Sequence, residues 1–191
     1  MAVKITDATY LTGQLLIAMP AMADPNFHRT VTYICEHSEH GALGLIINRP
    51  LDIDLGEVFQ QLSMTAHDPE LASRPILRGG PVQMDRGFVI HGSEHTWETT
   101  ANIADSIQVT TSQDILTAMA AGDGPTQAMV ALGYAGWGAG QLEYEITENA
   151  WLSAPATRQI LFDTPFEDRW ADAAALLGID LATLSTDAGH A

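Results

Sequence analysis

Cysteine is almost absent. The one thiol, Cys35, has no partner within the chain, so a disulfide framework of the kind that staples small secreted domains is excluded. Positive charge is scarce as well: 8 Lys and Arg stand against 24 Asp and Glu, a formal net charge of −16. Affinity for nucleic acid comes mainly from cations that displace counterions from phosphates, so direct nucleic-acid binding is not expected. Anionic membrane surfaces are disfavoured for the same reason. The shortage is uneven. Residues 1–95 hold 11 acids and 6 bases, whereas 96–191 hold 13 acids and two bases, Arg158 and Arg169. Long apolar runs are missing too. The stretch Leu15 to Ala23 is interrupted by Pro20 and is too short to cross a bilayer, and Asp7 precedes any apolar run of signal-peptide length. A cytoplasmic location is the expectation.

What is present suits a folded globule. Of the 191 residues, 46% are hydrophobic and 17% charged, enough for one core without a staple. No repeat, low-complexity tract or linker divides the chain. A single domain over 1–191 is expected, with 61–74 as a loop or short helical excursion around Asp68-Pro69 and 181–191 as a flexible tail.

Short β-rich runs are frequent: Tyr10–Ala18, Arg29–Cys35, Gly44–Asn48, Ile76-Leu77, Gly87–His91, Ile107–Thr110 and Gln127–Tyr134. In the second run, Val31, Tyr33 and Cys35 alternate with Thr30, Thr32 and Ile34. Leu55, Val58, Phe59 and Leu62 follow helical spacing, with Asp52 or Asp54 to cap them. Ser112–Ala121 predicts a helix stopped by Gly122. Thr164-Pro165-Phe166-Glu167 offers a cap, a first-turn proline and a capping-box Glu, ahead of the stripe Phe166, Trp170, Ala173 and Leu177. A fourth helix is expected over roughly Gly138–Asn149. Strands and helices interleave irregularly, without strict alternation, which points to a mixed α+β architecture.

Four blocks carry a family resemblance. They are Gly13–Pro50, with Asp24-Pro25-Asn26-Phe27 and Cys35-Glu36-His37-Ser38; Gly79-Gly80-Pro81-Val82 through Arg86-Gly87-Phe88-Val89-Ile90-His91; Gly133 through Glu143, with Tyr134 and Trp137 among its glycines; and Asn149-Ala150-Trp151-Leu152 through Leu161-Phe162-Asp163-Thr164-Pro165. In order and spacing, over about residues 8–180, they resemble the AlgH/YqgE family. The resemblance implies a complex mixed sheet, bifurcated, partly closed into a small β-barrel and flanked by helices. It implies no particular reaction. Some family members are described as candidate transcriptional regulators, which does not presuppose contact with DNA.

Each group that could carry chemistry has a plainer role beside it. Cys35 and His37 would share one face of a strand, as a thiolate–imidazole pair requires, but Cys35 also falls in an alternating set where a small buried residue is expected. Glu36, His37, Glu39 and His40 cluster in what reads as a solvated hairpin turn. His91 and His95 are spaced for a helix yet sit at a strand end and a turn, so no metal site is expected. Gly133–Gly140 lacks a phosphate-loop pattern and reads as a tight turn. Trp97, Trp137, Trp151 and Trp170 are too scattered for a stacking platform.

The arginines give the sharpest expectation. Arg29, Arg49, Arg78 and Arg86 each adjoin a turn. With Asn48, Gly79 and Gly80 they make a candidate anion-binding set, provided those turns gather at one end of the sheet. Pairing with Asp24, Asp52 or Asp85 is the competing role. The reading is a non-catalytic protein without cofactor or metal, acting through an unidentified protein partner or by sensing a small anion. The alternative is a hydrolase or transferase built on His37, Asn48, Arg49 and His91.

Overall fold

The computed structural model describes residues 10–188. Its strands are β1 (Gln14–Ala18), β2 (Val31–Ser38), β3 (Gly41–Ile46), β4 (Pro50–Asp54), β5 (Pro75–Arg78), β6 (Val82–Gly92), β7 (Thr100–Ala104), β8 (Ile107–Thr110), β9 (Ala128–Trp137) and β10 (Trp151–Pro155). Its helices are α1 (Leu55–Gln61), α2 (Pro69–Ala72), α3 (Asp114–Ala121), α4 (Gln141–Thr147), α5 (Arg169–Ala175) and α6 (Leu181–Ala188). The architecture is α+β.

The strands follow one antiparallel path, β10-β1-β2-β3-β9-β6-β8-β7, curled into a half-barrel with helices on its flanks. The path forks at β9. One edge of β9 pairs with β6 from Ala128 to Tyr134, across a bulge between Val82 and Gly87, while the other is shared: β5 runs parallel to Ala131 and Leu132, and β3 takes Ala135 to Trp137. Gly79 and Gly80 sit in the fork. A Cβ on either would collide with backbone atoms of β9, at Gly133 below Gly79 and at Tyr134 below Gly80, so both glycines are required by close approach.

Both faces of the central strands are covered. Leu15, Ile17, Val31 and Tyr33 point toward α5, whose Ala173 and Ala174 share their cluster. Leu16 and Ile34 point the other way, to Trp137, Trp151 and Leu142 of α4. The alternation expected over 29–35 therefore separates two buried sides rather than inside from outside, and a bulge between Ile34 and Glu36 resets the register at Cys35. A third cluster lies beneath α1 and α3, around Phe59, Ile76, Ile115 and Met119.

Helix α1 begins with a reciprocal capping box: Asp54 accepts from the Glu57 amide, and Glu57 from the Asp54 amide, both at 2.8 Å. Its end is a left-handed cap built on Ser63, φ +58°, with the Met64 amide donating to Phe59 O.

The C-terminal helix departs from expectation. A π-helical turn, Gln159–Asp163, comes first, followed by a short 3-10 turn at Phe166–Asp168 and only then α5. Thr164 does not cap, because both its amide and its hydroxyl donate back to Gln159 O, closing the π turn. Pro165, at ψ 144°, is extended. Of the expected stripe, Ala173 is buried and Phe166 and Trp170 pack partly buried against the same cluster, while Leu177 is exposed; Arg169 is buried beside them. Of the segment expected as a flexible tail, Leu181–Ala188 is helical with Leu181 buried, and 189–191 lie outside the described residues. No helix among the described residues is long and apolar enough to cross a membrane.

Candidate functional site

None of the four expected arginines lines either of the two cavities described below. Arg49 and Arg78 do come together, because Pro50 pairs with Leu77 and the Arg78 amide donates to Arg49 O. Burial and the neighbouring Arg78 hold the Arg49 guanidinium below its usual range, with Asp24 acting in the opposite sense. Yet Arg49 spends its donors on backbone, reaching Pro25 O, Asn26 O and His28 O, each at 2.8 Å. It fastens the 24–29 loop. Arg78 makes one long contact, 3.4 Å, to the Asn26 side chain. Arg29 lies over the Trp170 ring, and Arg86, across β9 from Arg78, lies over Phe88. The Asn48 amide bridges Val31 N and Arg29 O, and Gly79 N donates to Leu132 O. Among the described residues no arginine has a carboxylate oxygen within 4.0 Å, so the expected pairings with Asp24, Asp52 and Asp85 do not form either.

The alternative catalytic set is spread across the sheet. His37 is opposite Ala42, which is opposite Trp137, whereas His91 is opposite Ala128. Nine residues along β9 separate those two levels by roughly 30 Å, at about 3.4 Å per residue. Each imidazole is also engaged at both nitrogens. His37 Nδ1 accepts from Leu11 N, which places the proton on Nε2, 2.6 Å from Glu143 Oε1. His91 Nδ1 donates to Gly92 O, leaving Nε2 to accept from the Thr110 hydroxyl at 2.7 Å. Cys35 lies at the bulge rather than beside His37, and burial, with Glu36 adding to it, pushes its thiol up to about 12. It is not an activated nucleophile. The glycine-rich stretch is strand as far as Trp137, and only Gly138 to Gly140 turn into α4.

Sequence reasoning missed Arg169. This arginine opens α5, is 2% exposed, and sits at the junction of helix, sheet and π turn. Its Nε donates to Thr164 O (2.9 Å) and its Nη1 to Ile47 O (2.6 Å), with Met129 Sδ at 3.1 Å. The guanidinium stacks on Phe166, 4.5 Å from the ring centre. Nη2 has no partner among the described residues, although a guanidinium carries five N–H donors. Burial lowers the Arg169 pKa to about 10, only partly offset by Asp163.

Arg169 lines a cavity of about 430 Å³ beneath β5 and β9. Arg74 and Asp163 stand at its exposed rim, and the walls are apolar, with Leu71, Leu77, Met119 and Phe162 prominent. Phe162 and Asp163 are delivered by the π-helical turn, a wide turn that recurs at functional sites. A larger groove, about 700 Å³, lies between α1, α3 and β6, but its charged lining residues are Glu57 and Asp85. One signal did exist in the sequence: position 169 is three residues after Phe166 and four before Ala173, on the apolar stripe, where a charge is out of place.

Comparison with known proteins agrees with this architecture. The AlgH-like family model matches residues 15–182. A UPF0301 protein of Xanthomonas campestris pv. campestris is 52% identical over 183 residues, covering 96% of this chain and 97% of the relative. One from Thioalkalivibrio sulfidiphilus is 52% identical over 187 residues, covering 98% and 100%. The solution structure of the AlgH protein from Pseudomonas aeruginosa superposes with a TM-score of 0.78 at 51% identity, covering 98% of this chain and all of that one. A crystal structure of a Corynebacterium diphtheriae protein, 23% identical, shares the fold with a TM-score of 0.67 over 85% of this chain and 84% of its own. With the forked half-barrel and the family model both spanning nearly all of it, the chain belongs to the AlgH-like family.

Proposed function

We propose that this protein is a non-catalytic cytoplasmic regulator that senses a small anion in the Arg169 cavity and reports its occupancy to a protein partner. One observation carries the reading: a guanidinium 98% removed from solvent, with no carboxylate within 4.0 Å, lines a 430 Å³ cavity. A buried cation that Asp163 offsets only in part is costly, and a bound anion is the simplest way to relieve it. The engaged nitrogens of His37 and His91 and the raised Cys35 thiol support binding over bond-breaking. The acidic balance favours a protein partner over nucleic acid.

Thermal unfolding in the presence of phosphate, sulfate and a series of carboxylates tests the reading. Stabilisation by at least one anion, lost in Arg169→Met, is the expected result. An unfolding temperature indifferent to every anion would remove the basis for the proposal.

A further inference from the structure

Resting on that reading, we propose that the ligand is a small monocarboxylate with an apolar body, its carboxylate forked across Nη1 and Nη2 of Arg169.

The charge of the cavity selects a monoanion. Arg74 and Arg169 contribute two positive charges and Asp163 one negative, a balance of +1. A phosphate dianion would overfill that balance and face Asp163. A single carboxylate neutralises it.

The donors select the geometry. Nε and one N–H of Nη1 are held by Thr164 O and Ile47 O, which fixes the guanidinium plane from the side of the sheet. Nη2 has no hydrogen-bond partner among the described residues, and the second contact of Nη1 is Met129 Sδ at 3.1 Å. A thioether is a weak acceptor on a flexible side chain. A carboxylate oxygen displacing it would form two parallel charge-assisted bonds, the arrangement for which a guanidinium is shaped. The walls select the rest of the molecule. Leu71, Leu77, Met119 and Phe162 leave the body of the ligand in apolar surroundings, and 430 Å³ is near the lower end of the roughly 300–1,000 Å³ usual for ligand pockets.

Titration calorimetry on the full chain tests this with four probes: phenylacetate, hexanoate, benzyl alcohol and inorganic phosphate. Phenylacetate or hexanoate should bind, and benzyl alcohol, which has the apolar body without the charge, should bind at least tenfold more weakly. Asp163→Asn removes the competing negative charge from an exposed position and should tighten carboxylate binding roughly five- to tenfold, a gain no merely structural disturbance would produce. Arg74→Gln should weaken it by a similar factor. Phosphate binding without carboxylate binding would overturn this inference and leave anion sensing standing. Silence from every anion would overturn both. Carboxylate binding unchanged in Asp163→Asn would show that the ligand lies elsewhere.

Discussion

Replacing Arg169 with Met separates the two halves of what this residue does. The substitution keeps a long apolar stem and removes the charge and all donors. Two buried carbonyls, Thr164 O at 2.9 Å and Ile47 O at 2.6 Å, lose their partner. An unmet buried acceptor costs about 1–3 kcal/mol, so the gross loss is roughly 2–6 kcal/mol. Opposing this is relief of a charge confined in a dry site. Burial lowers its pKa from 12.5 to about 10, which at 1.36 kcal/mol per unit corresponds to about 3 kcal/mol. The lost stacking on Phe166 takes back up to about 1 kcal/mol. The net expectation is a loss of about 2 kcal/mol, a fall in Tm of about 4–8 °C for a chain of this length. Urea unfolding in anion-poor buffer measures it, with an unchanged slope to show that the folded state is intact. A loss beyond about 5 kcal/mol would mean that the folded protein draws net stability from the charge itself. The account of Arg169 as a partly compensated cation awaiting a ligand would then be wrong.

Further outcomes test separate parts of the description. Asp54→Ala removes the side-chain arm of the α1 capping box, leaving the backbone amide at 54 on Glu57, and should destabilise by about 1 kcal/mol in chemical denaturation. Ser63→Gly relieves the left-handed residue that ends α1 and should stabilise by up to about 1 kcal/mol, whereas Ser63→Val should destabilise. With burial pushing its thiol above the ordinary 9.0, native, half-buried Cys35 should react with Ellman's reagent at pH 8 at least about tenfold more slowly than the unfolded chain; equal rates would refute that shift. Burial holds the His91 imidazole below its ordinary 6.5, outweighing Gly92 O and Glu94, so the unfolded chain takes up a proton first as pH falls. His91 therefore withdraws stability below about pH 6.5, and the wild-type advantage over His91→Gln should shrink between pH 7 and 5, by at most about 1.4 kcal/mol per pH unit.

How much of this was legible follows from where each element sits. The strands found from pattern, such as β2, β6, β8 and β9, have a neighbour on each edge, and their apolar runs are long. The three strands missed, β4, β7 and β10, are all edges. An edge strand tolerates Pro50, whose missing N–H has nothing to pair with, and mixed sequences such as Thr100–Ala104, because only one side is packed. The four arginines expected to form an anion site stand apart from the Arg169 cavity for a related reason. Arginines beside turns are conspicuous in a sequence, but turns expose carbonyls, and Arg49 is absorbed by three of them. The pattern Thr164-Pro165-Phe166-Glu167 imitates a helix start and points to Phe166 and Trp170, which do pack against the core, rather than to the buried Arg169 beside them. The real start lies at Arg169, after a π turn closed by Thr164. The π turn at Gln159–Asp163 carries Phe162 and Asp163 to the cavity wall. The irregular backbone that defeated the pattern is therefore the same backbone that builds the pocket.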